Sequence, residues 1–296
     1  MNDYLLSILL GIIEGLTEFL PVSSTAHLRI SEALLGIDLG NGYWKMFSIV
    51  IQLGAILCLP IYFWNRIVEF VRDFPQGKRG DRTVMNHPLT LTVIAFVVTA
   101  IPAFLLTKII GKHLESLPLM AWALIIGGIV MWVVDGIYER SGHKAFARGK
   151  LTEDMEDMSV GQAVWVGFCQ IFSALFPGTS RSMSTITGGE LAGMSRPAAL
   201  EFSFFLSMPT MVVATVYDLF RSMRPHHGEP SAIGSMPSDA HSWLLLAIGF
   251  VVSFIVAYGV VAWFMNWVRT RGFTVFAIYR ILLGGFVLWW VSRLPG

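Results

Sequence analysis

The stretch EGLTEFLPVSSTAH, Glu14 to His27, places carboxylate, hydroxyl and imidazole side chains inside an otherwise apolar sequence. A proline with small polar neighbours interrupts helix hydrogen bonding, so we expect two short helices here, 4–20 and 25–36, on either side of PVSS. At membrane depth such a break is tolerated only where the backbone is buried in protein or lines a wet cavity. The stretch therefore predicts a broken helical hairpin that enters and leaves the membrane on one side.

The rest of the chain has the composition of a membrane protein. Of its 296 residues, 54% are hydrophobic and 14% are charged, whereas a soluble domain has roughly 25% charged residues. The net charge of +1 argues against a nucleic-acid partner. Crossing a bilayer takes about 20 residues, and six segments are long enough: 43–64, 88–107, 119–138, 197–220, 242–266 and 273–292. A second broken pair, 160–176 and 180–194, surrounds PGTS.

The two broken segments are related in sequence. A shift of 156 residues lays GIIEGLTEFLPVSSTAHLRI on GFCQIFSALFPGTSRSMSTI, with Pro21 on Pro177 and Ser24 on Ser180. Three weaker matches, at shifts of 154, 155 and 157, follow in the same order along the chain. Matches in one order at nearly one offset indicate an internal duplication.

The duplication predicts the organisation of the chain. We expect one membrane domain over 1–296, with a first repeat at 1–138, a polar cytoplasmic linker at 139–160 and a second repeat at 161–296. Each half then holds one re-entrant hairpin and three crossings, and an odd number of crossings inverts the second half. The predicted fold is all-α: a polytopic membrane protein with six transmembrane helices and two re-entrant helical hairpins in inverted-topology repeats.

Loop charges predict the orientation. Twelve Lys and Arg residues fall on one side, in loop 65–87, in the linker 139–160 and at Arg196, Arg269 and Arg271, against seven on the other side. Cytoplasmic loops carry an excess of Lys and Arg. We therefore expect both termini and the mouth of the first hairpin to face outward.

Two carboxylates stand on one face of the first hairpin. Glu14 and Glu18 are four residues apart, which brings them together on a helix. A charge at the bilayer centre costs about 2.5–3.5 kcal/mol on insertion scales, so the pair needs a cation, a proton or a wet cavity. Arg181 of the second hairpin is the natural complement; a purely structural ion pair is the alternative.

Hydroxyl groups and a histidine follow the carboxylates. Ser24 and His27 are three residues apart, and a histidine beside a serine can act as its general base. The alternative is that the serines cap the second helix and His27 is an interior residue; Ser23 is the favoured cap.

The second break supplies an anion site. PGTSRS places Gly178 and free backbone N–H groups at a helix start, where phosphate is favoured. Arg181 offers a bidentate fork to phosphate oxygens. We predict a phosphate-binding set from both breaks: Ser23, Thr25, Gly178, Ser180, Arg181, Ser182 and Thr185.

Together the two motifs resemble the undecaprenyl-diphosphate phosphatase family, bacterial integral-membrane enzymes associated with bacitracin resistance. The resemblance rests on EGLTEFLPVSSTAH and PGTSRSMSTITGG, supported by VIQLGAI, MSRPAALEFSF and FAIYR, and it spans nearly the whole chain. It implies release of inorganic phosphate from undecaprenyl diphosphate, which regenerates the lipid carrier for peptidoglycan and other cell-wall polymers. It also implies a divalent cation, Mg²⁺ or Ca²⁺, and a site open to the outer face of the bacterial plasma membrane.

The resemblance carries functional positions onto this chain: Glu14, Glu18, Ser24, His27 and Arg181. We expect Ser24 as nucleophile with His27 as base, and Arg181 with the PGTS backbone stabilising the transferred phosphoryl group. The metal would be held by the two carboxylates of the first motif; attack by His27 or by water stays open. The sequence departs from the family pattern at Ala26 and Met183, where glycine is usual.

A lipid-phosphate transporter or flippase is the rival function. Inverted repeats with helices broken at the midplane are also typical of transporters, and a lipid carrier phosphate would need the same anion site. The expected partners are the polyprenyl diphosphate, membrane lipids and a second copy of the chain in a possible homodimer.

Overall fold

The computed structural model describes residues 2–37, 42–106, 116–147, 151–223, 237 and 239–293. This part of the chain forms twelve α-helices and one short 3₁₀ helix at Met155–Asp157. The α-helices are α1 (Asp3–Thr17), α2 (Ser24–Leu34), α3 (Gly42–Ile56), α4 (Cys58–Tyr62), α5 (Trp64–Arg72), α6 (Pro88–Leu105), α7 (Leu117–Ala147), α8 (Val160–Leu175), α9 (Arg181–Leu191), α10 (Arg196–Met223), α11 (Ala240–Trp267) and α12 (Thr274–Val291).

Six of these stretches are long and apolar enough to cross a membrane, as predicted. They are Gly42–Tyr62, Pro88–Leu105, Leu117–Arg140, Arg196–Tyr217, Ala240–Trp267 and Thr274–Val291. The first crossing consists of α3 and α4 with a turn at Leu57 between them. The protein is a multi-pass α-helical membrane protein.

Helix α7 runs further than the sequence predicts. It continues to Ala147, past the start of the predicted polar linker at 139. Residues 151–160 of that segment include the 3₁₀ helix and Ser159, which starts α8 in a capping box with Gln162. The repeat and linker boundaries themselves stay a prediction.

The short helices of one half pack on long helices of the other half. Helix α1 lies against α11, and α8 lies against α6. A Cβ added at Gly11 would lie 2.8 Å from the Gly249 carbonyl oxygen, and one added at Gly167 would lie 2.5 Å from that of Ala95. Gly11 and Gly167 occupy matching positions of the predicted repeat, and each close approach leaves room for glycine alone.

Each broken helix restarts at a serine with unusual backbone geometry. Ser23 before α2 and Ser180 before α9 both have φ of 74° and both cap their helix. The predicted alignment of Ser24 with Ser180 is therefore wrong by one residue, since Ser23 is the structural counterpart of Ser180. The second break has one more residue between its proline and its cap.

Candidate active site

The two breaks meet at a cavity of about 250 Å³. The cavity is lined by residues of both: Glu18, Ser23, Ser24 and Thr25 from the first, and Gly178, Ser180 and Arg181 from the second. The predicted meeting of the two motifs is thus present in the structure.

Glu18 lies at the centre of this meeting. Its Oε2 accepts a hydrogen bond from Ser24 Oγ at 2.6 Å, and its Oε1 accepts one from Arg181 Nη2 at 3.3 Å. Gln52 Nε2 lies 3.5 Å from Oε2. One buried carboxylate therefore links a hydroxyl of the first break to the guanidinium of the second.

The hydrogen-bonding capacity of the Arg181 guanidinium is only partly used. Its Nη1 donates to the Ser203 carbonyl at 3.4 Å, and its Nε is buried without a hydrogen-bond partner among the described residues. Arg181 forms the predicted ion pair with a carboxylate of the first hairpin, which is Glu18; Nη2 lies 3.3 Å from Oε1. A guanidinium whose contacts are long and incomplete can take up the oxygens of an anion in their place.

Two helix N-termini converge on the cavity. The Ser23 hydroxyl accepts from Ala26 N at 3.4 Å and the Ser180 hydroxyl from Met183 N at 3.3 Å, so each caps the third N–H of its helix. The earlier N–H groups of a helix have no intrahelical acceptor. Unpaired donors and the positive end of the helix dipole make both ends suited to phosphate.

Gly178 fits the second break for a steric reason. Its φ is 93°, and a Cβ added there would lie 2.8 Å from the Met120 carbonyl oxygen. Only glycine allows both this conformation and this approach.

His27 is directed away from Ser24. Its Nδ1 lies 2.7 Å from the Ser23 carbonyl oxygen and its Nε2 lies 2.7 Å from the Tyr279 hydroxyl. A carbonyl only accepts, so Nδ1 carries the proton and Nε2 of the neutral ring accepts from the tyrosine. The sequence predicts His27 as the base for Ser24, but no hydrogen bond joins their side chains in this structure, because the His27 ring folds back to the Ser23 carbonyl. The hydroxyl of Ser24 is bound to Glu18 instead.

Glu14 is fully buried and lies one turn before Glu18. Neither of its carboxylate oxygens has a hydrogen-bond partner among the described residues. The described residues contain no group of three or more His, Cys, Asp or Glu side chains placed to hold a metal. Two carboxylates nevertheless suit a cation that completes its shell with water and substrate oxygens, as Mg²⁺ does. The oxygens of Glu14, which have no hydrogen-bond donor among the described residues, are the observation that fits such an ion, although only Glu18 of the pair lines the cavity.

Two predicted phosphate ligands have other partners. Ser182 Oγ donates to the Leu20 carbonyl at 3.0 Å, and Thr185 Oγ1 lies 2.6 Å from Ser203 Oγ. Neither residue lines the cavity. They tie the second hairpin to its neighbours.

The two departures from the family pattern do not obstruct the site. Ala26 is fully buried among apolar side chains, and Met183 is 4% exposed within the apolar core. The side chain of Met183 lies near Gly127, and neither Ala26 nor Met183 lines the cavity.

The two sequence motifs do not indicate four further polar residues of the cavity. Thr99, Gln170, Ser173 and Thr210 line it, and Gln170 Nε2 lies 3.2 Å from Thr210 Oγ1. A signal existed for Gln170, because the repeat alignment lays it on Glu14. The others carry no pattern that separates them from ordinary polar residues in helices.

The fold and the cavity define a class: a polytopic membrane protein with an anion site between two broken helices. The chain belongs to the family described as bacitracin resistance protein BacA, which matches residues 7–286. It is 67% identical over 293 residues to the undecaprenyl-diphosphatase of Koribacter versatilis, covering 99% of this chain and 100% of the relative. The undecaprenyl-diphosphatase of Sorangium cellulosum is 41% identical over 283 residues, with 96% and 85% covered. That of Caldanaerobacter subterraneus is 39% identical over 285 residues, with 96% and 95% covered.

Proposed function

We propose that this protein removes the terminal phosphate of undecaprenyl diphosphate, giving undecaprenyl phosphate and inorganic phosphate. The activity would recycle the lipid carrier for cell-wall polymers and confer resistance to bacitracin. The similarity to undecaprenyl-diphosphatases supports the substrate and the reaction. The observation that carries the proposal is the Glu18 carboxylate, hydrogen-bonded to Ser24 at 2.6 Å and to Arg181 at 3.3 Å.

In this mechanism Ser24 attacks the terminal phosphorus while Glu18 accepts the hydroxyl proton. The new bond joins Ser24 Oγ to phosphorus, and the bond from phosphorus to the bridging oxygen breaks. Glu18 then protonates the departing lipid phosphate. Water attacks the phosphoserine, passes a proton to Glu18 and releases inorganic phosphate, after which Ser24 recovers its proton.

Arg181 binds the anionic oxygens throughout. The phosphoryl group replaces Glu18 as the partner of the guanidinium, which frees the carboxylate to act as a base. The first N–H groups of α2 and α9 add donors aimed at the same place. These donors would stabilise the negative charge that spreads over the transferred phosphoryl group, which is the main source of catalysis in phosphoryl transfer.

In this proposal His27 is a positioning residue and not the base for Ser24 that its spacing suggests. Held by the Ser23 carbonyl and the Tyr279 hydroxyl, it would fix the first turn of α2 and so the direction of Ser24. Direct attack by His27 or by water remains an alternative, and the Ser24 variant described below separates them.

A divalent cation, Mg²⁺ or Ca²⁺, fits the oxygen donors of Glu14 and Glu18. When bound, it would neutralise part of the diphosphate charge. Glu14, which has no protein partner for either oxygen among the described residues, would then be a ligand.

We further propose that the protein lies in the bacterial plasma membrane with the cavity open to the outer face. The loop charges support this orientation, since the twelve basic residues would then be cytoplasmic. The long isoprenoid chain would stay in the bilayer, and a homodimer would bury part of the apolar surface.

A phosphate-release assay on the purified full chain in detergent tests the proposal. We expect inorganic phosphate from undecaprenyl diphosphate, with loss of the product when divalent cations are chelated. A lipid-phosphate transporter would bind the lipid and cleave nothing, so binding without phosphate release would favour that rival.

A further inference from the structure

Arg280 is the largest fully buried side chain of the described residues, and it lies in α12 at the end of FAIYR. It takes part in none of the ion pairs of the described residues, and its Nε has no partner there. A buried charge without a counterion is costly unless hydrogen bonds compensate it. Such a residue needs a reason beyond packing.

The guanidinium is bound by four backbone carbonyls. Nη1 donates to Pro21 at 3.0 Å, and Nη2 lies 2.9 Å from Thr179, 3.2 Å from Gly178 and 3.1 Å from Ala123. Pro21 belongs to the first break, and Gly178 and Thr179 belong to the second. Arg280 therefore joins the two breaks through one rigid planar group.

The contact with the second break also orients its donors. The C=O and N–H of a trans peptide point in opposite directions. Holding the Thr179 carbonyl thus turns the Ser180 N–H away from Arg280, and no hydrogen bond from that N–H occurs within the described residues. The positive φ of Ser180, which is strained for a residue other than glycine, persists only if the surroundings hold it.

We propose that Arg280 is a positioning residue for phosphoryl transfer: it fixes the first break relative to the second, so that Glu18 and Ser24 face Arg181 and the start of α9. This inference rests on the proposed function for its reaction. The structural observation, that one side chain binds both breaks, is independent of the proposed function. Arg280 does not line the cavity, so it acts through the loops that it holds.

Two substitutions displace the guanidinium in different ways. Arg280→Lys keeps the charge, but a single ammonium cannot bind carbonyls on both breaks with planar geometry. Gly127→Ala keeps Arg280, but its new Cβ would meet the guanidinium and lie 2.7 Å from Met183 Cε. Gly136→Ala is the matched control on the same helix α7, because nothing lies within 4 Å of a Cβ added there.

The experiment measures kcat and KM for undecaprenyl diphosphate, binding of inorganic phosphate, and thermal stability, on the full chain in detergent. For folded Arg280→Lys we expect a kcat lower by about 10²-fold, the loss that a misplacement near 1 Å can cause. KM should change less than kcat, since the displaced groups act on the transferred phosphoryl group, and inorganic phosphate should bind more weakly. Gly127→Ala should also lower kcat and weaken phosphate binding. Gly136→Ala should match the wild type in both.

Wild-type kcat and phosphate binding in Arg280→Lys or in Gly127→Ala would overturn the inference. If Arg280→Lys does not fold, Gly127→Ala against Gly136→Ala decides alone, and equal losses in those two would also overturn it. A wild-type protein that binds phosphate but releases none from the lipid would refute the proposed function. The order of phosphate binding among the variants would still test Arg280.

Discussion

At the scale of single residues, the proposed mechanism depends most on Arg181, because its guanidinium must exchange Glu18 for the phosphoryl group. Arg181→Lys keeps the charge and loses the bidentate fork. We expect it to lower kcat by on the order of 10²-fold, the loss typical of removing one donor to a transition state. Arg293→Lys, at an exposed position on α12's C-terminal side, is the control. Near-normal turnover of Arg181→Lys would mean that Arg181 only balances charge.

The two carboxylates should separate into two roles. Glu18→Gln removes the acceptor of the Ser24 proton, so we expect kcat to fall at every concentration of divalent cation. Glu14→Gln removes oxygens that have no protein partner among the described residues, so we expect a higher cation concentration for half-maximal activity.

A titration with MgCl₂ and CaCl₂ on wild type and both variants measures this difference. Asp81→Asn, at an exposed carboxylate, is the control. Identical titrations and turnover in all four proteins would remove both the metal role and the base role.

Sequence reasoning identified the chemistry of these residues but not all of their pairings. The i, i+4 spacing placed Glu14 and Glu18 on one face, and opposite charge correctly matched Arg181 to a glutamate of the first hairpin. The spacing of Ser24 and His27 suggested a second pair that the structure does not contain. Helical spacing gives the side of a helix on which a residue lies, but not its rotamer. In the structure the His27 imidazole is hydrogen-bonded to the Ser23 carbonyl and not to Ser24.

At the scale of elements, the serine caps can be tested directly. Ser180 combines a capping hydroxyl with a φ of 74°, which glycine adopts freely and alanine does not. Ser180→Ala should destabilise the protein by about 1 kcal/mol or more, whereas Ser180→Gly should cost only a few tenths. Thermal unfolding in detergent measures both. A Ser180→Gly variant less stable than Ser180→Ala would contradict the strained-cap account.

The helices themselves were predictable because their signals are local. Prolines, caps and apolar length gave the ends of α1, α8, α11 and α12 to within three residues. The positive φ of Ser23 and Ser180 was not predictable, since such values are typical of glycine and are imposed here by surrounding contacts. The four carbonyls around Arg280 come from three distant segments, so no local pattern could indicate them.

At the scale of the whole molecule, the proposed orientation rests on the charge bias of the loops. In a background lacking Cys58 and Cys169, a cysteine at Gln76 and one at Arg293 report on opposite faces; both positions are exposed. In intact cells we expect a membrane-impermeant maleimide to label Arg293→Cys and to spare Gln76→Cys until the membrane is opened. The reverse labelling would invert the proposed topology.

The sequence predicts a duplication, but it does not predict how the two halves pack. Alignment related the two hairpins, but only the structure pairs α1 with α11 and α8 with α6 across the halves. This crosswise packing brings the two breaks to one cavity. A site built from residues more than 150 positions apart along the chain depends on it.

The central claim is that Ser24 attacks phosphorus with Glu18 as its base, and phosphate release by Ser24→Ala beside Ser23→Ala tests it most directly. We expect Ser24→Ala to lose activity by on the order of 10²-fold or more. Ser23→Ala should retain turnover and lose about 1 kcal/mol of stability, the value of a cap. Both variants are measured as folded protein in the same detergent. An active Ser24→Ala beside an inactive Ser23→Ala would reverse the assignment, and two active variants would transfer the attack to His27 or to water.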